Sequence, residues 1–143
     1  MPHAILPEAE MAGPTGELAS RQLAMPADTN PWGHIFGGWI MALMDASAVM
    51  SAVRRADGPV VTAGVSNIHF LQPVHVGDSV CCYTREVQTG RTSITYAVEV
   101  WVLRGGLGER IKVTQAEFTF VAVGEGGQPR VLPAPEGQGR QTG

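Results

Sequence analysis

The chain has 143 residues, enough for one domain with a modest core. Hydrophobic residues make up 44% and charged residues 16%, the balance of a globular chain and not of a disordered one. Thirteen acidic against ten basic residues give a net charge of -3, which argues against a nucleic-acid surface but leaves room for a local phosphate-binding site.

The first sixteen residues are weakly patterned and expected to be loose, and a domain is expected over 17–133. MPHAILPEAEMAG lacks a charged region followed by a long apolar stretch, so no targeting segment is expected and the location is read as cytoplasmic. Glu17 to Met25 reads as a short strand. A polar loop follows, PADTNPWGH, in which Asp28, Thr29 and Asn30 are turn and cap formers. Pro31 restricts Asn30 to extended geometry.

Next comes the uncharged run IFGGWIMALMDASAVMSAV, Ile35 to Val53, broken by one acidic residue, Asp45. Its length and lack of alternation predict a helix from about Phe36 to Arg55, buried on nearly all sides. Two glycines, two serines and Asp45 argue against a membrane span, so no membrane partner is expected. An ionised carboxylate without a partner costs several kcal/mol to bury. A carboxylate withdrawn from water is also a better proton acceptor, which makes Asp45 a candidate general base. The plainer alternative is a carboxylate hydrogen-bonded to neighbouring backbone. Arg54 and Arg55 read as a solvated helix end.

After the break Asp57-Gly58-Pro59, four strands are predicted: Val60–Leu71, Ser79–Thr89, Ser93–Arg104 and Ile111–Val123. Ile94, Tyr96, Val98, Val100 and Val102 share one face of the third, and Ala116, Phe118, Phe120 and Ala122 one face of the fourth. Cys81 and Cys82 are adjacent and point to opposite faces of a strand, so no disulfide between them is expected. They are also a poor metal site. Free thiols fit a reducing compartment. Glycine and proline crowd the end of the chain, and a frayed tail is expected over 134–143. Strand, long helix and four antiparallel strands make an α+β arrangement. One sheet covers only one side of the helix, and its edges need partners, so dimerisation is expected.

Three blocks now stand out: MPADTNPWGHIFGGWIMALMD, VGDSVCCYTREVQTGRTSITYAVEVWV and FTFVAVGEGGQPRVLP. In this order they resemble the bacterial YciA-like acyl-CoA thioesterases, relatives of the brain acyl-CoA hydrolases. The resemblance covers roughly Leu18 to Pro133. It implies the hotdog fold, a long helix wrapped by an antiparallel sheet of about five strands, and hydrolysis of acyl-CoA to free acid and CoA without metal or cofactor. It further implies assembly as a dimer and as a trimer of dimers. The family's catalytic acid falls on Asp45, its second polar residue on Asn30 and its helix-start glycines on Gly37 and Gly38. The family often has Asn-Gly-Asp where this chain has Trp32-Gly33-His34, and a basic residue where it has Gln72.

The residues permit that chemistry. A helix N-terminus offers unpaired N–H groups, and glycine at 37 and 38 lets a carbonyl approach them. Asp45 could serve as general base or as nucleophile. Asn30 could orient the water or the carboxylate, or merely cap its turn. His34 borders the helix start and is a further candidate contact, though a solvent-facing histidine is the plainer reading. Gly38 and Asp45 are seven residues apart, about 10 Å along a helix, so one helix cannot readily give both groups to one thioester. They are expected to come from different subunits. For CoA phosphates, Arg91 and Ser93 are candidate pyrophosphate contacts, and Arg110 and Lys112 could meet the nucleotide end. Alternatives are a hotdog hydratase or dehydratase, which would want a His–acid pair, and a non-catalytic acyl-CoA sensor, which would need no acid at 45.

Overall fold

In chain order the elements are β1 (Glu17–Leu23), a 3-10 turn (Pro26–Asp28), α1 (Gly37–Ala56), β2 (Val60–Phe70), β3 (Ser79–Thr89), β4 (Ser93–Leu103), a 3-10 turn (Arg104–Gly106) and β5 (Arg110–Ala122). They come from a computed structural model that describes residues 13–135. Every predicted strand is present, with ends shifted by two residues at most. Most of the two terminal segments expected to be loose, 1–12 and 136–143, lies outside the described residues.

Alternation builds the sheet. β3, β4 and β5 form a meander of antiparallel hairpins, β1 adds to β3, and β2 crosses to pair with β5. The order is β1-β3-β4-β5-β2, which leaves β1 and β2 as edges. The predicted faces hold: Ile94, Tyr96, Val98, Val100 and Val102 of β4 join Ala116, Phe118 and Phe120 of β5 in one core. Cys82 lies in that core, while Cys81 packs with Tyr83 and Trp101 on the opposite face. Both thiols are free.

The helix lays Ile40, Met44, Ala48 and Ala52 on this core. The small alanines let its axis sit close to the sheet. It stops at Asp57, which turns into the left-handed region (φ 54°), and the Gly58 N–H closes the last turn on the Val53 carbonyl. Burial on nearly all sides does not hold within one chain. The sheet covers one face of α1, and Ala42, Ala46, Met50 and Val53 on the other face are exposed.

The ends of the described chain are tied down. Gly16 (φ +96°) lies so close to the Thr84 carbonyl that an added Cβ would sit 2.5 Å from its oxygen. Thr15 donates through its backbone N–H and hydroxyl to the buried Glu99, which also accepts from Trp101 Nε1. At the other end, Leu132 N–H reaches the Arg91 carbonyl. Arg55 is not the solvated side chain expected. It donates to the Pro133 carbonyl (2.7 Å) and pairs with Glu86 (3.4 Å), because the returning C-terminal segment passes the end of α1.

Candidate active site

Asp45 lies on the side of α1 that faces β2. It is half-buried, and its Oδ1 accepts a hydrogen bond from the Thr62 hydroxyl at 2.7 Å. The isolated buried carboxylate expected from the sequence is therefore partnered and open to one side. Thr62 lies two residues beyond Val60, which packs against the core, so alternation turns both toward the helix. Its hydroxyl spends its only proton on Oδ1 and leaves Oδ2 for water or substrate. Sequence reasoning missed Thr62. The available signal was a hydroxyl two residues beyond Val60, on the side of β2 that alternation turns toward the helix.

The helix start is built for an acceptor. Phe36 is the N-cap and supplies no side-chain bond to the first turn. Among the described residues the N–H groups of Gly37 and Gly38 have no acceptor, while those of Trp39 and Ile40 reach back to the Phe36 carbonyl. Gly37 packs under Phe70, whose ring lies 3.4 Å from where a Cβ would sit. Gly38 faces open space. The two glycines thus differ: the first serves packing, the second access.

Asn30 is a scaffold for the loop before the helix. Its Oδ1 accepts from the backbone N–H of Trp32 (2.9 Å) and of His34 (3.0 Å), and its own N–H donates to the His34 carbonyl (2.6 Å). Its side-chain NH2 makes no bond among the described residues and remains the group that could reach a substrate. The hydroxyl and thiol groups near mid-helix offer no rival nucleophile. Ser47 bonds Ser20 and the Leu43 carbonyl. Burial pushes the Cys82 thiol up, an effect only partly offset by hydrogen bonds to Ser47 and Ser20, so it stays a thiol.

The phosphate candidates do not gather within one chain. Arg91 and Ser93 lie at the start of β4, and Arg110 pairs with Leu103 at its far end. Those ends are roughly 30 Å apart for eleven residues of strand. Lys112 sits over the Trp101 ring (5.9 Å) and bonds Gln115. A cleft of about 630 Å³ opens instead at the C-terminal end of α1, beside Ser51, Arg54, Arg85 and Tyr96, and none of Asp45, Asn30, Gly37 and Gly38 lines it. Burial lifts the Tyr96 phenol to about 12, and its hydroxyl donates to the Ser51 carbonyl (3.2 Å). Among the described residues no three His, Cys, Asp or Glu side chains could hold a metal ion. No described helix is long and apolar enough to cross a membrane.

A carboxylate held by a hydroxyl and a helix start with free amides suit hydrolysis of an activated acyl group. The sequence profile of the thioesterase superfamily matches residues 32–109. The chain belongs to the thioesterase superfamily. Its fold is the hotdog fold, one long helix packed on a five-stranded antiparallel sheet. It is similar to the acyl-CoA thioester hydrolase YciA of Escherichia coli K12, at 51% identity over 123 residues, covering 84% of this chain and 93% of the relative. It is similar also to a solved hexameric thioesterase of Yersinia pestis (TM-score 0.82, 53% identity, 85% of this chain and 98% of that one). A solved hexameric, broad-specificity acyl-coenzyme A thioesterase matches with TM-score 0.80 and 48% identity, over 87% of this chain and 86% of that one.

Proposed function

We propose that this thioesterase hydrolyses acyl-CoA to the carboxylic acid and CoA, with Asp45 as general base. The Asp45–Thr62 pair carries the proposal. It fixes one carboxylate oxygen and leaves the other free beside an apolar surface. Water held at Oδ2 gives its proton to Asp45 while its oxygen bonds to the thioester carbon. The carbonyl oxygen becomes an oxyanion, and the Gly37 and Gly38 amides suit that charge. Collapse breaks the carbon–sulfur bond, and the proton on Asp45 goes to the departing CoA thiolate. The Asn30 side-chain NH2 is left to steady the water or the carbonyl.

Amides and carboxylate of one helix are about 10 Å apart, so the amides facing Asp45 belong to a second copy. Two features support self-association. β2 is an exposed edge strand of eleven residues. The bare face of α1 is apolar from Ala42 through Val53. A trimer of such dimers accords with the hexameric state of the solved relatives. Acyl-CoA is the substrate class named for YciA and for one hexameric relative. The cytoplasm is the compartment that suits two free cysteines. Arg91, Ser93, Arg110 and Lys112 could serve one CoA only if different copies supply the two pairs.

Asp45→Asn tests the assignment. It is expected to fold and to bind acyl-CoA while kcat for thiol release falls about 100-fold or more. Near-normal kcat would remove Asp45 from the chemistry.

A further inference from the structure

Resting on that reading, we propose that His34 and His75 form a subsite for the pantetheine arm of the substrate, the chain with two amides that joins the thioester to the nucleotide. The two imidazoles stack with centroids 5.3 Å apart and planes 12° from parallel. Each is set from its backbone. The His34 N–H and carbonyl are both bound by Asn30. The His75 N–H donates to Asp78 Oδ2 (2.9 Å). Asp78 is buried, and the Arg104 guanidinium grips it with Nε and Nη2 at 3.1 Å each. Ile35 N–H reaches the Val74 carbonyl (2.9 Å) and locks the two segments side by side. Yet neither ring makes a hydrogen bond among the described residues, and His34 faces solvent. Two fixed, stacked rings therefore keep their nitrogens unpaired among the described residues.

Their position selects the ligand. His34 precedes Gly37 by three residues, at most about 10 Å of chain. Residues 70–75 pass the helix start so that Phe70 meets Gly37, Val74 meets Ile35 and His75 meets His34. Apolar side chains therefore stand exposed at the helix start, Phe36, Phe70 and Leu71. The imidazoles lie further along the same two segments, past the Ile35–Val74 contact. A thioester whose carbonyl lies on the Gly37 and Gly38 amides has an apolar acyl chain on one side of that carbonyl and a polyamide arm on the other. An imidazole can donate to an amide carbonyl or accept from an amide N–H, and a stacked pair can serve both amides of the arm. The hydrocarbon cluster suits the acyl chain and the imidazole pair the arm.

The test compares His34→Ala and His75→Phe, the latter keeping a stacked ring without its nitrogens, with the wild type. Substrates carry one acyl group on CoA, on pantetheine without the nucleotide, and on thiophenol without the arm. The subsite predicts a KM about fivefold or more higher for the CoA and pantetheine thioesters, with kcat within about twofold. The thiophenyl ester should be turned over as by the wild type. Equal losses on all three, a loss on acyl-CoA alone, or no loss would each overturn it. Calorimetry decides separately from hydrolysis. Free CoA should bind the variants about fivefold more weakly, and adenosine 3′,5′-bisphosphate, which lacks the arm, equally well. Unchanged CoA affinity overturns the subsite. A wild type that binds CoA but hydrolyses no thioester overturns the functional reading alone.

Discussion

The two faces of α1 are made of similar residues and meet different fates. Ile40, Met44, Ala48 and Ala52 are buried on the sheet. Ala42, Ala46, Met50 and Val53 are equally apolar and lie bare. The inner face completes the fold within one chain. The outer face is an exposed apolar patch of the kind that a second copy would cover. Asp45 stands at the border, reaching down to Thr62 and open above. On the proposed reading, the fold belongs to one chain and the site is completed by another.

Substitutions on the two faces should separate stability from chemistry. The largest effect is expected in the core that the inner face covers. Phe118 is 2% exposed, and Phe118→Ala should lower unfolding stability by about 3–5 kcal/mol, read from urea midpoints. The kcat of the folded fraction should stay within about threefold of wild type. A comparable fall in kcat would show that the inner face also shapes the site.

Next comes the border. Thr62→Val keeps the shape and removes the donor to Asp45. Losing a hydrogen bond to a charged group, worth about 1.5 kcal/mol, should lower kcat roughly tenfold. Stability should change little, and Thr62→Ser should restore most of the rate. A fully active Thr62→Val would make the contact incidental.

The last effect shows only at alkaline pH and lies in the sheet beneath the inner face. The Tyr96 phenol is lifted to about 12 by burial, against about 10 in an unfolded chain. Between those values the folded chain holds a proton that the unfolded chain has lost. Its contribution is complete below about pH 10 and disappears as pH rises toward 12. Tyr96→Phe should flatten the loss of stability over that range, measured by denaturant melts at stepped pH. Identical slopes would mean that the phenol is not held back in the folded state.

Much of this was legible in the sequence because it is local. Alternation in β4 and β5 marked their inner faces, and the Asp57-Gly58-Pro59 break marked the end of the helix. Asp45 stood out by charge alone. What escaped depends on contacts distant in sequence. Thr62 is one hydroxyl in a strand until the fold lays it under Asp45, seventeen positions away. Arg55 looks like a free helix end until residue 133 returns to it. Asn30 is a candidate for the chemistry by sequence, and its short bonds to 32 and 34 show how much of it serves the loop. The phosphate candidates stand out only by residue type, and the meander places them at opposite ends of β4. An apolar run makes Asp45 look fully buried, but it does not say which faces of the helix one sheet can cover.

The shared site can be tested by mixing two inactive variants. Asp45→Ala removes the base. Gly38→Val adds a side chain over the helix amides, where nothing lies within 4 Å in the same chain, so the fold should tolerate it. Each alone should be nearly inactive. Unfolded together in equal amounts and refolded, they should form about half mixed dimers, each with one intact site and one doubly defective site. Roughly a quarter of wild-type thiol release should return, while separately refolded controls stay inactive. Mixed dimers seen by mass spectrometry with no recovered activity would place the carboxylate and the amides in one subunit and contradict the account.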